Sequence, residues 1–244
     1  MSDSEVSSFY ENEADEYDQR WSRRGGLKTA QSQGAIVREL TQDWDGKRIL
    51  ELGCGTGRFS LNMASKGKPT ILMDIALQML NVTRSKLHSS SHQFMGINGS
   101  IYQLPFENGW FDAAYSINVF NHLEYLKSAF SEVNRILKED GLFLVNFANL
   151  YSYYFPLAFI INRRQKSIGR NVYSRWLSIP QMKHLLDAAG FSIIRSFGNV
   201  YVPVYLDQPV IREIPLLLNS ISTNSALKWL APSIFLLCIK QHSL

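Results

Sequence analysis

Short, uninterrupted apolar runs alternate along this chain with stretches in which apolar residues return every third or fourth position. Runs at 49–52, 70–73, 94–97, 111–117, 142–147, 191–197 and 233–240 predict seven strands, and their unbroken character suits a sheet covered on both faces. Stretches at 29–40, 59–66, 77–87, 127–138 and 181–189 carry the helical period. The clearest is 127–138, where Ala129, Phe130, Val133, Ile136 and Leu137 share one face. Turn residues separate the runs: 43–46, Gly67-Lys68-Pro69, Asp140-Gly141 closing the 127–138 helix, and Gly190. Strands alternating with helices predict repeated βα units. The fold class is therefore α/β, a doubly wound, mostly parallel sheet.

The first strand runs into the densest turn signal. Residues 48–58 read Arg-Ile-Leu-Glu-Leu-Gly-Cys-Gly-Thr-Gly-Arg, with glycines at 53, 55 and 57. Glycine serves such a turn where φ must be positive or a ligand must approach the main chain. A dinucleotide fingerprint needs its third glycine two residues beyond the second, at the helix start that receives pyrophosphate. Here position 58 is Arg, so that spacing is not met. The second strand ends at Asp74, roughly twenty residues on, where doubly wound folds place a carboxylate for ribose hydroxyls. Together the turn and Asp74 suit a nucleoside without pyrophosphate.

Ordered motifs then add a resemblance. Glu51-x-Gly53-x-Gly55-x-Gly57, Asp74 with Met79-Leu80, Leu104-Pro105-Phe106, Phe111-Asp112 and Leu137-Lys138-Glu139-Asp140-Gly141-Leu142 resemble the class I S-adenosylmethionine-dependent methyltransferases. The likeness is nearest to the small-molecule branch of ubiquinone and menaquinone biosynthesis, and it is best over 45–150. It implies a Rossmann-like sheet of seven strands with the last antiparallel, an N-terminal lid and a cap inserted between strands five and six. It also implies S-adenosyl-L-methionine as cofactor, with a binding set of Tyr17, Glu51, Gly53, Cys54, Gly55, Gly57, Asp74, Ile75, Ser100, Ile101 and Asn118. Glu51 would orient the amino acid end indirectly, and Asn118 would meet the methionine portion largely through its backbone. Similar proteins usually carry an acid at position 100, so Ser100 departs from the pattern; its hydroxyl can accept a bond from the adenine amino group only without charge assistance. His122 stands as the candidate catalytic residue, a general base or substrate contact, against the plainer reading of a helix-start histidine satisfied by a local carbonyl. Two rivals stay open: a non-catalytic nucleoside-binding module, and an NAD-dependent oxidoreductase, for which no hydride-transfer pair is visible.

Composition sets the outer bounds. At 244 residues, 45% hydrophobic and 19% charged, the chain can form one sizeable core. The expected division is an N-terminal lid and helix over 1–44, a cofactor-binding core over 45–150, a substrate cap over 151–190, and closing strands with a lid insertion over 191–244. Two cysteines, without metal-ligand spacing or a secretory signal, suit a reducing cytoplasmic setting. The first twenty residues hold seven acids and one base. They read either as a solvated arm or, given Phe9, Tyr10, Tyr17 and Trp21, as a lid that excludes water from the methyl donor. Residues 151–180 hold five bases and no acid beside the aromatic run 151–161. This stretch suits an apolar or amphipathic small-molecule acceptor with an acidic group, or peripheral membrane contact through 151–175, or simply a packed capping helix with solvated bases. A net charge of +4 and the lack of a recognised module make nucleic acid an unexpected partner.

Overall fold

The computed structural model describes residues 3–22, 26–60, 63, 70–88, 94–167, 174–199 and 226–242. Three helices open the chain: α1 (Asp3–Glu13), α2 (Tyr17–Ser22) and α3 (Gly26–Leu40). Then follow β1 (Ile49–Leu52), β2 (Thr70–Asp74), α4 (Leu77–Leu87), β3 (Phe94–Asn98), β4 (Phe111–Ser116), α5 (Leu126–Ile136) and β5 (Leu137–Asn149). The second half holds α6 (Phe155–Ser167), β6 (Trp176–Leu177), α7 (Ile179–Ala188), β7 (Phe191–Asn199) and β8 (Ser233–Lys240).

One sheet joins the strands in the order β3-β2-β1-β4-β5-β8-β7, with β6 attached to β5. Only β8 runs antiparallel, to β5 on one side and β7 on the other. The strand order reverses between β1 and β4, and this is the position at which doubly wound sheets open a crevice.

Alternation within the strands explains their unbroken apolar runs. Leu50, Ala114, Phe143, Val145, Leu236 and Cys238 face a core shared with Ala129, Phe130, Val133 and Ile136 of α5 and with Met182 and Leu186 of α7. Their neighbours Ile49, Ala113, Tyr115, Leu144, Phe235 and Leu237 face Ile36, Val37 and Leu40 of α3 and Trp44. Both faces of the central strands are covered, so most of their positions are apolar, with Glu51, Ser116 and Asn146 as buried polar exceptions. Each fully buried Leu, Ile or Phe contributes about 1.5–3 kcal/mol. A capping box starts α7: Ser178 Oγ accepts from Gln181 N, and Gln181 Oε1 accepts from Ser178 N.

Several boundaries differ from the sequence-based expectation. The helix expected at 127–138 ends at Ile136, and Leu137 is already extended. Asp140 takes φ 60° and the β4–β5 pairing jumps from Phe111↔Leu137 to Ala113↔Leu142, so 138–141 bulges out of the ladder rather than closing a helix. Lys240 Nζ donates to Leu137 O at 2.9 Å across the base of that bulge. An eighth strand, β6, was not legible because two residues carry no period. The expected helix at 59–66 and the lid insertion at 202–231 lie mostly outside the described residues.

Candidate functional site

The turn after β1 is held by the neighbouring strand. Gly53 N and Cys54 N both donate to Met73 O, at 2.8 and 3.0 Å. Gly53, Gly55 and Gly57 have φ of 71°, 54° and 80°, a region costly for residues with a Cβ. Their surroundings differ. A Cβ at Gly53 would stand 2.3 Å from Val119 Cγ2 and one at Gly57 2.8 Å from Thr83 Cγ2, whereas a Cβ at Gly55 would meet nothing within 4 Å. Packing therefore requires the outer two glycines, and of the three only Gly55 has open space where a Cβ would stand.

Asp74 ties this turn to the next helix. Its Oδ2 accepts from Gly55 N at 2.7 Å and its Oδ1 from Ala76 N at 3.0 Å. The carboxylate borders the adjoining cavity and keeps acceptor capacity toward it. Burial pushes the Asp74 carboxyl up to about 6, against the pull of its backbone N–H bonds.

That cavity opens at the carboxyl ends of β1, β2 and β4, with about 840 Å³ of atom-free space including its mouth. Gly53, Gly55, Asp74 and Ile75 form one wall, Ile101 and Tyr102 a second, and Asn118, Val119 and His122 a third. Asp3, Val6, Tyr10 and Tyr17 from α1 and α2 form the roof. Tyr10 packs edge-on against both Tyr17 and His122, with ring centroids 6.2 and 6.1 Å apart. Aromatic edge contacts of this kind prefer 4.5–7 Å.

The acids of the N-terminal segment dock this roof. Glu11 accepts from Leu77 N at 2.6 Å and Gln78 N at 2.9 Å at the start of α4. Asp18 accepts from Thr56 Oγ1 at 2.6 Å and is paired with Lys86, whose Nζ also donates to Thr56 O at 2.8 Å. Ser7 Oγ donates to Ile75 O at 3.2 Å. The solvated-arm alternative therefore fails for α1 and α2, because their acids find backbone N–H groups and a lysine on the core. Tyr10 and Tyr17 border the cavity, while the side chain of Trp21 lies outside what is described.

The segment after β4 is fixed from behind. Asn118 adopts φ 64°. Its N donates to Asn146 Oδ1 at 2.6 Å, and Asn146 Nδ2 donates back to Asn118 Oδ1 at 2.8 Å. The Asn118 amide group also donates to Gln33 Oε1 at 3.3 Å. Its side chain is thus committed to the scaffold. A one-turn helix then spans Phe120–His122, with His122 N donating to Val119 O at 2.8 Å. His122 borders the cavity.

Four expected site residues do not reach the cavity wall. Cys54 turns into a core with Leu72, Leu80 and Leu87, and burial pushes its thiol well above the ordinary range. Gly57 faces Thr83. Glu51 is buried beneath the turn, where Ser60 Oγ and Tyr115 Oη donate to its Oε2 at 2.5 and 2.7 Å, and desolvation pushes its carboxyl up to about 7. Ser100 is occupied on both sides: its hydroxyl donates to the Asp3 carboxylate and accepts from Tyr102 N at 3.2 Å. No sequence pattern marks Asp3, Glu11, Gln33 or Asn146, since each acts across a long sequence separation. Among the described residues, no cluster of His, Cys, Asp or Glu could hold a metal.

Comparison with known proteins agrees with this geometry. A family model described as "Methyltransferase domain" matches residues 50–145. An uncharacterized protein of Methanocaldococcus jannaschii is 26% identical over 215 residues, spanning 80% of this chain and 79% of that protein. The malonyl-[acyl-carrier protein] O-methyltransferase of Geobacter sulfurreducens is 28% identical over 170 residues, spanning 66% of this chain and 62% of that relative. Magnesium protoporphyrin IX methyltransferase from Synechocystis, solved with bound SAH, superposes with a TM-score of 0.68 at 15% identity over 98% of this chain and all of that one. The matched span holds the glycine turn, Asp74, Asn118 and His122, and over it the chain is similar to a methyltransferase domain.

Proposed function

We propose that this chain moves the methyl group of S-adenosylmethionine onto a small, apolar or amphipathic acceptor, and that the cavity beside Gly55 and Asp74 is where transfer occurs. The observation that carries the reading is a single cavity bordered by Gly55, Asp74 and His122 and roofed by Tyr10 and Tyr17. Asp74 would take the ribose hydroxyls, Ile75 and Ile101 the flanks of the base, and the main chain at Gly53 and Asn118 the amino acid end. Glu51, Cys54 and Gly57 would act through the shape of the turn rather than by touch. The sulfonium supplies an already activated methyl carbon, so the protein's task is mainly alignment behind that carbon and exclusion of water. Where the acceptor must lose a proton, His122 would receive it.

The described residues of 151–175, which leave out 168–173, would form the acceptor's approach. Tyr151, Tyr153, Phe159 and Ile160 are 51–56% exposed. Phe155 packs on Trp176 with centroids 5.3 Å apart, and Arg175 binds Asn121 O at 2.7 Å and Glu124 O at 3.1 Å, next to His122. An amphipathic acceptor could lie along this face, and the same face beside Arg163 suits an anionic lipid surface. No helix among the described residues is long and apolar enough to cross a membrane. The relative acting on a malonyl group supports an acyl-type acceptor.

Calorimetric titration with S-adenosylmethionine, its demethylated product and NAD tests the donor: binding of NAD alone would end the reading. Incubation with labelled donor and fractionated cell extract identifies the acceptor. His122→Asn should lower kcat by ~10²-fold or more with the donor Kd unchanged. Unchanged kcat would leave His122 a structural residue. Sedimentation with anionic liposomes tests the surface contact, which the absence of lipid-dependent pelleting would retire.

A further inference from the structure

We infer that Asp3, on the lid helix, is the residue that recognises the exocyclic amino group of the donor's nucleobase; this rests on the donor site proposed above. Ser100, at the position expected to meet the base, is not part of the cavity wall, but Asp3 is. The hydroxyl of Ser100 is polarised in one direction: its oxygen accepts from Tyr102 N, which leaves its proton for the Asp3 carboxylate. Ser100 is thus a clamp that fixes the orientation of an acid brought from 97 residues away. Among the described residues this is the one hydrogen bond Asp3 makes through its side chain, so acceptor capacity remains toward the cavity.

The sheet order says what that capacity meets. Across the crevice the strands run β4, β1, β2, β3. Asn118 follows β4, Gly53 and Gly55 follow β1, Asp74 ends β2, and Gly99 to Ile101 follow β3. A nucleoside whose sugar lies at Asp74 and whose amino acid end points to Gly53 and Asn118 must extend its base over the end of β3. There Ile75, Met79 and Ile101 offer apolar walls for a flat ring, and Asp3 offers the carboxylate at its rim. A carboxylate at that place accepts from an amino substituent and repels a carbonyl. Adenine is thereby favoured over a 6-oxo purine, and only while α1 is docked.

The test compares S-adenosylhomocysteine with S-inosylhomocysteine, which differs by the 6-oxo group, on the full chain by calorimetry. Wild type should prefer the adenosine compound by about tenfold or more, as expected for a charge-assisted bond. Asp3→Ala, and Asp3→Asn in case the first variant fails to fold, should bring the preference close to one by weakening the adenosine compound only. Adding Ser100→Asp to Asp3→Ala should restore it. Equal weakening of both compounds, or an unchanged preference, would overturn the inference and leave Asp3 as a lid anchor at most. A wild-type chain that binds neither compound would instead overturn the donor site itself.

Discussion

Residues 3–22 and 151–175 look alike in sequence: each is rich in aromatics and carries charge of nearly one sign. Their structures diverge. In the acidic segment Asp3, Glu11 and Asp18 each hold a named group on the core, and Tyr10 and Tyr17 point into the cavity. In the basic segment Ala158 and Ser152 are buried, but Phe159, Ile160, Tyr151 and Tyr153 stay half exposed. The cause is chemical: the core presents donors here, the N–H groups at the start of α4 to Glu11, the Thr56 hydroxyl and Lys86 to Asp18 and the Ser100 hydroxyl to Asp3, from which carboxylates can accept and guanidinium groups cannot. The N-terminal segment thereby becomes the roof of the cavity, whereas the basic one keeps an apolar face outward.

The widest separation between the two should come from deleting residues 1–22. That removes the roof of the cavity and three charge-bearing anchors, so donor Kd should rise by ~10²-fold, comparable to losing one buried aromatic side chain. The variant Phe159→Ser/Ile160→Ser should leave donor Kd within about twofold, because surface substitutions outside such features have small effects. It should raise only the KM for the acceptor. Equal donor affinity in wild type and deletion would show that the lid does not close the donor site.

The comparison also marks what was legible. Strand runs, the glycine turn and Asp74 were readable because they obey local periods and spacings. The helix end at Ile136 was not, because Leu137 continues the helical apolar pattern while Gly141 and Asp140 force a bulge that only the β5 ladder reveals. Spacing and strand order were enough to bring Gly55, Asp74 and His122 to one crevice, whose wall they share, but not to give the direction of side chains. Cys54 lies between two glycines of the turn yet points into the core, because the backbone at Gly53 and Gly55 turns it toward Leu72 and Leu80. Partners such as Asp3 with Ser100 have no sequence signature, since tertiary docking alone brings them together.

A smaller effect separates donor-site chemistry from the cap by pH. The folded pKa of Asp74, about 6, lies above its ordinary 3.8, so the folded chain without donor holds the extra proton between those values. Asp74 then contributes stability that is complete below pH 3.8 and is lost as pH rises through about 6. Donor binding has the opposite dependence, since ribose hydroxyls need the ionised acceptor. Donor affinity should therefore improve by about tenfold from pH 5 to pH 7, and the thermal shift produced by donor should grow over that range. Asp74→Asn should flatten both. A flat profile in wild type would remove Asp74 from the ribose contact.

The finest distinction concerns whether the lid acids act as anchors or merely as charge. The N-cap residue of α4, Ala76, has no side-chain acceptor, so Leu77 N and Gln78 N would be orphaned without Glu11. A glutamine there keeps one carbonyl oxygen but loses the second acceptor and the charge that favours a helix N-terminus. Glu11→Gln should therefore cost about 1 kcal/mol, the usual worth of an N-cap, and lower Tm by about 2–4 °C in a chain of this size. Glu16, exposed on the same acidic segment, supplies the control. Glu16→Gln removes the same charge without removing an anchor and should move Tm by less than about 1 °C. Scanning calorimetry of the two variants at pH 7.5 in ~0.15 M salt, where exposed charges are screened beyond about 8 Å, decides the matter. Equal shifts would mean that net charge, and not the α4 contact, is what Glu11 contributes, and the acidic segment would then differ from the basic one only in sign.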